Sequence, residues 1–333
     1  MRNAFTGYHT HINIRSLHSI ITRPSMPLRA THNLPPFRPS EGSKTMSTTT
    51  QTQTSTSPPR KLKILMLHGY TQSGPSFHAK TKALEKALTK AFPGLPPSPH
   101  KPLPGTLPDY PGGVELIYPT GPLRLRPSDI PGFVPREDVG DEIESYAWWR
   151  RDDGTGEYTG IQEGFSVMAE AIKNAGGIDG VIGFSQGGAA AGMVTSLLES
   201  GRKEAFDRIA GLEFPTSFLP AKDGQPISPP LKFGVVYSGF KAPQDSYKGL
   251  YEPEISTPVL HVIGTLDSVV DESRSLSLVD VCQGGREKIA YHTGGHFVPI
   301  GKDMMGALIG FIKMTCGKAH EVEESVEDMD VPF

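Results

Sequence analysis

Short apolar runs closed by glycine or proline recur through the middle of the chain and alternate with segments of helical period. Residues 61–68 hold an apolar run that stops at Gly69, which predicts a buried parallel strand. Residues 77–92 then set Ala83, Leu84, Ala87, Leu88 and Ala91 on one stripe with Lys and Glu opposite, an amphipathic helix. A second strand over 114–118 is closed by Pro119. Helical period returns over 161–175, where Phe165, Met168, Ala169 and Ile172 share a face. Val181 and Ile182 end another strand, a small-residue helix covers 187–198, and a polar helical patch surrounds 203–209. Strands over 233–238, 258–263 and 288–292, with helices over 273–281 and 304–314, complete the series. This alternation predicts an α/β fold: a mainly parallel sheet of about six strands with helices on both faces.

The ends and three insertions lack that pattern. The first 40 residues carry five arginines (Arg2, Arg15, Arg23, Arg29, Arg38), no lysine and no acid, which suits a mitochondrial transit peptide; the alternative is an unstructured leader, with Met46 as a second start. The Ser/Thr/Gln tract over 48–59 cannot bury apolar area. From Glu321 the tail holds six acids in ten residues and is expected to be solvated. Residues 1–60 are thus expected to be a disordered leader, 61–316 the folded domain and 317–333 an acidic tail. Proline breaks 93–113, 120–160 and 214–230, and the second of these holds Tyr146, Trp148 and Trp149. A loop that long inside a compact domain is usually functional or a lid.

Composition narrows the class. Only 37% of the 333 residues are hydrophobic, while Pro (31) and Gly (37) are abundant, and the excess is local to the unpatterned segments. A net charge of −3 without a sustained basic stretch argues against nucleic-acid binding. Cys282 and Cys316 make no disulfide framework, so a reducing compartment, the cytoplasm, is expected, with mitochondria as the alternative. No apolar run approaches the length of a transmembrane helix.

Candidate chemistry starts at Gly183-Phe-Ser-Gln-Gly187, a G-x-S-x-G pentapeptide between a strand and a helix. A strand that turns sharply into a helix strains the serine backbone and points its hydroxyl off the sheet. The pentapeptide alone is weak in a glycine-rich chain, where it could simply pack a helix on a strand; its flanks lift it, an apolar run before and Gly-Gly-Ala-Ala-Ala-Gly after. A nucleophile needs a base and an orienting acid, supplied after later strands. Asp267 follows the 258–263 strand and His296 sits on the Gly-rich turn past the last strand, so both fall on the edge that carries Ser185. Asp271 is the rival acid and is expected to cap the next helix. His261 and His292, inside strand runs, are expected in the core. His68 is expected to shape the turn after the first strand, leaving the backbone N–H groups of Tyr70 and Gln186 as the oxyanion donors.

Four blocks now point further: Leu65-Met-Leu-His-Gly-Tyr70, Gly183 to Gly187, Gly264-Thr-Leu-Asp-Ser-Val-Val270 and Gly294-Gly-His-Phe-Val-Pro299. Together with Ala147-Trp-Trp149 ahead of the Asp179–Gly183 strand, they resemble the fungal family of serine hydrolases, which includes the ovarian-cancer-associated hydrolase of animals. The resemblance spans about 61–313. It implies an α/β-hydrolase fold, no cofactor, and an esterase or thioesterase with Ser185, Asp267 and His296 as its triad and no metal. The substrate is then a small-molecule acyl ester or thioester. One alternative releases an acyl or polyketide chain from an acyl carrier protein; a non-catalytic binding module is the other. Trp148 and Trp149 are the expected substrate-binding residues, with the core edge as their alternative place.

Overall fold

The structure, a computed structural model, describes residues 58–95, 103–130, 144–220 and 224–317. Nearly all of the leader, the acidic tail and part of the 120–160 insertion therefore lie outside the described residues.

Six strands form one sheet: β1 (Leu62–Leu67), β2 (Val114–Ile117), β3 (Gly180–Phe184), β4 (Phe233–Tyr237), β5 (Val259–Gly264) and β6 (Ile289–His292). Their order is β6-β5-β4-β3-β1-β2, and every neighbouring pair is parallel. Side chains of a strand alternate between faces, and the core divides accordingly. In β1, Leu62, Ile64 and Met66 join one cluster, while Leu65 and Leu67 join the other.

Two helices, α1 (Gly74–Ala91) and α6 (Lys302–Cys316), cover the first face through Phe77, Leu84, Leu88, Leu308, Phe311 and Ile312. The other face carries α2 (Ile161–Asn174), α3 (Gln186–Leu197), α4 (Arg202–Phe206) and α5 (Glu272–Val279). The sequence places α1 three residues late. Ser73 caps it by accepting from Ser76 N–H while Ser76 Oγ accepts from Ser73 N–H, so helix begins ahead of the apolar stripe.

At the amino end of the sheet, buried Asp179 accepts from Arg60 Nη2 at 2.6 Å, Tyr110 Oη at 3.0 Å and Lys63 N–H at 3.0 Å, and so ties the start of the domain to β3. Cys282 and Cys316 are buried free thiols. No helix among the described residues is long and apolar enough to cross a membrane.

Candidate active site

The strand-to-helix turn after β3 holds Ser185 at φ +55°, ψ −118°, in the left-handed half of backbone space that a side chain rarely occupies. Two glycines allow it: a Cβ at Gly183 would strike the carbonyl of Gly187, and one at Gly187 would strike the carbonyl of Leu67. Ser185 N–H donates to Tyr237 O of β4 at 2.9 Å, which fixes the turn to the neighbouring strand. Gln186 opens α3, so its N–H lies in the first turn, where no carbonyl of the helix can accept it.

Asp267 and His296 reach the serine from two turns that hold each other. Thr265 N–H donates to His292 O and Leu266 N–H to Gly294 O, lacing the loop after β5 to the loop after β6. Asp267 Oδ1 accepts from Val269 and Val270 N–H at 3.0 and 2.9 Å. Its Oδ2 lies 2.8 Å from His296 Nδ1, and His296 Nε2 lies 2.9 Å from Ser185 Oγ. The Asp267 side chain is 1% exposed and that of His296 18%, so the acid is sealed while the imidazole edge stays accessible. Burial would raise the Asp267 pKa, but hydrogen bonds from His296 and from the Val270 and Val269 N–H groups outweigh it and hold the carboxyl below its usual range. An ionised carboxylate on Nδ1–H leaves the Nε2 lone pair facing Oγ–H. The arrangement can remove the serine proton.

His68 closes the opposite side of the turn. Its ring is buried, with Nδ1 2.8 Å from Gly69 O and Nε2 accepting from Gly121 N–H at 2.8 Å. Burial lowers its pKa to about 4, so it stays neutral. Gly69 N–H donates to Gln72 Oε1, and Thr71 N–H to Tyr146 O, which shapes the backbone around Tyr70. The Tyr70 hydroxyl donates away from this turn, to Asp129 O at 2.9 Å.

The tryptophans are not where a substrate cover would put them. Trp148 is 0% and Trp149 2% exposed, both inside the core beneath α2 and α3. Trp148 stacks on His68 at 4.7 Å and donates Nε1–H to His68 O; Trp149 stacks on Tyr158, which stacks on Tyr247. Large aromatic rings gain most from burial, and the polar atom of the Trp148 ring is already paired. The insertion is also less irregular than its sequence suggests: Leu123–Arg124 pairs with Tyr146–Ala147, and Arg150–Arg151 with Tyr158–Thr159, in two short antiparallel ladders.

Among the rivals, Asp271 caps α5 by accepting from Arg274 N–H. His261 is buried in β5. His292, expected in the core, is instead half-buried at the end of β6, where its Nδ1 accepts from Gly294 N–H and its ring meets Phe297 edge-on. Two features escape the sequence reading. The Gln186 side chain accepts from Trp148 N–H and donates to Trp149 O, pinning the serine turn to the tryptophan segment. Ser238 follows β4 on the same sheet edge; its only signal is a serine and a glycine directly after an apolar strand. No cluster of three or more His, Cys, Asp or Glu side chains suited to a metal lies among the described residues.

Comparison with known proteins bears on this geometry. Family of serine hydrolases 3 of Saccharomyces cerevisiae is 29% identical over 282 residues, which cover 81% of this chain and 90% of the yeast protein. Esterase OVCA2 of Homo sapiens is 28% identical over 267 residues, covering 76% of this chain and 96% of the human protein. The Schizosaccharomyces pombe protein named dihydrofolate reductase is 28% identical over 246 residues, 72% of this chain, and the chain spans only 44% of that protein's length. The family model described as Serine hydrolase (FSH1) matches residues 56–308, the span that holds β1 to β6 and all three side chains of the relay. The chain, an α/β hydrolase by its fold, belongs to the FSH1 serine hydrolase family.

Proposed function

We propose that the protein hydrolyses carboxylic esters or thioesters through an acyl intermediate on Ser185. The observation that carries this reading is the continuous relay from Ser185 Oγ through His296 to Asp267 on one edge of the sheet. Ser185 Oγ attacks the carbonyl carbon as its proton passes to His296 Nε2, and Asp267 stabilises the imidazolium. The N–H groups of Tyr70 and Gln186 receive the oxyanion. His296 then protonates the leaving alcohol or thiol as the carbonyl–leaving-group bond breaks. Water, deprotonated by the same imidazole, attacks the acyl carbon and releases the acid, and the proton returns to Ser185 Oγ.

Leu266, Val269, Phe297 and Ile300 are exposed on the two turns that carry Asp267 and His296. They offer an acyl chain the apolar contact that the tryptophans do not, at about 0.8 kcal/mol per buried methylene. A fluorophosphonate probe should label the protein at Ser185, and Ser185→Ala should lose labelling together with about 10⁴–10⁶ of turnover at an unchanged melting temperature. Across matched esters and thioesters, kcat/KM should rise from acetyl to longer chains. Labelling of Ser185→Ala at the wild-type rate would remove the serine from this role; acetyl as the best acyl group throughout would remove the apolar turns from theirs.

A further inference from the structure

Three non-glycine residues among those described hold φ in the left-handed region: Thr71 at +68°, Ser185 at +55° and Ser238 at +48°. They follow the carboxyl ends of the adjacent strands β1, β3 and β4, all on the edge that carries the relay. Such strain persists only where the surroundings enforce it, and it gathers at functional sites. Ser185 is the nucleophile of the reading above, and Thr71 belongs to the turn that His68 shapes. Ser238 has no part in that account.

The backbone ties Ser238 to both sides of the relay. Its N–H donates to Val262 O of β5, the strand that leads to Asp267, at 3.0 Å. The preceding carbonyl, Tyr237 O, accepts from Ser185 N–H at 2.9 Å. Ser238 is 2% exposed, and its Oγ makes no hydrogen bond of normal geometry. Buried hydroxyls without a partner are uncommon enough to need a reason. Glycine would hold this φ without strain, so the backbone gives no reason for a serine here. The hydroxyl does.

A carboxylate has about four acceptor positions. Asp267 fills three of them, with Val269 N–H, Val270 N–H and His296 Nδ1. Although short of a well-formed hydrogen bond, the Ser238 hydroxyl lies close enough to that carboxyl to help lower its pKa. We propose that Ser238 is a positioning residue for the acid: during turnover its hydroxyl donates to the vacant acceptor position of Asp267, and the carboxylate so held keeps His296 aligned on Ser185. This rests on the reading of Ser185, His296 and Asp267 as the reacting groups.

The test compares the full-length wild type with Ser238→Ala and Ser238→Gly by fluorophosphonate labelling rate, by kcat and KM against pH, and by melting temperature. Both variants should lose about 10–100-fold in kcat with KM nearly unchanged, the size of one lost hydrogen bond to a charged group. The titratable groups coupled to Asp267 are His296 and His292. With a donor removed, the Asp267–His296 pair binds a proton more tightly, so the acidic limb of the rate profile should move to higher pH. Glycine suits the backbone, so Ser238→Gly should fold at least as stably as wild type and decides the matter if the alanine variant is unstable. Wild-type kcat and an unmoved limb in both variants would overturn the proposal. So would a loss that follows melting temperature with the limb in place, or failure of both variants to fold, since either makes Ser238 a packing residue. A wild-type protein that does not label at Ser185 would instead overturn the reading of the site itself.

Discussion

His68 and His296 stand on opposite sides of the same serine turn, each with both ring nitrogens engaged, and they are fitted for opposite work. Both nitrogens of His68 meet backbone groups, Gly69 O and Gly121 N–H, and the ring is sealed under Trp148. His296 meets a carboxylate on one nitrogen and a hydroxyl on the other, with its edge open to solvent. Closeness to the serine does not make an imidazole a base. A base needs an ionised partner that welcomes the incoming proton, and the Asp267 carboxyl, held below its usual pKa, is that partner. Buried among neutral groups, His68 resists protonation and serves as a rigid spacer.

The largest test crosses the two. His296→Ala should cost about 10⁴–10⁶ in kcat, because the groups act as a unit, yet shift folding stability by less than about 1 kcal/mol at this partly exposed turn. His68→Ala should do the reverse: about 2–4 kcal/mol of stability, from the cavity beside Trp148 and the orphaned Gly121 N–H. Kinetics and denaturant unfolding of both variants check this. Equal effects on stability would erase the distinction.

A smaller effect separates the two acids near the site. Asp267→Asn keeps the shape but presents an amide to His296 Nδ1, and kcat should fall about 10³–10⁴-fold. Asp271→Asn retains an N-cap side chain for α5 and should cost less than about 0.5 kcal/mol of stability, with kcat near wild type. Steady-state kinetics on the pair would reassign the acid if their order were reversed.

Much of this was legible in the sequence, because most strands are apolar runs with clear ends and the larger outer helices are periodic. The apolar runs at β1, β3, β4 and β5 and the stripes of α1 and α2 carry their own signal. Ser185, Asp267 and His296 could be placed on one edge because a parallel sheet puts every strand's carboxyl end there. What stayed hidden depends on contacts between distant segments. Trp148 and Trp149 sit between two-residue ladders too short to show a period, and only their stacking on His68 and Tyr158 marks them as core. The hydrogen bonds of the Gln186 side chain to the tryptophan backbone, and the backbone angle of Ser238, likewise leave no local trace.

The contrast between sealed and accessible histidines also predicts how stability varies with pH. Burial lowers His68 to about 4 and His261, helped by Lys288, to about 3, against about 6.5 in an unfolded chain. Both are neutral in the folded state, so below pH 6.5 the unfolded chain takes up protons that the folded chain refuses. The contribution is whole above about 6.5 and is lost as pH falls toward 4, at about 1.4 kcal/mol per unit for each ring, or about 2 kcal/mol each at pH 5. Asp267, with a lowered pKa, adds its own loss only at more acidic pH, below the usual carboxylate value. His261 isolates the effect, because its buried Nε2 has no hydrogen-bond partner to lose. Denaturant titrations should find His261→Leu within about 1.5 kcal/mol of wild type at pH 7.5. At pH 5 the difference should move by about 2 kcal/mol in favour of the variant. A difference that stays constant between the two pH values would mean that His261 protonates as readily folded as unfolded, and that burial does not set its charge.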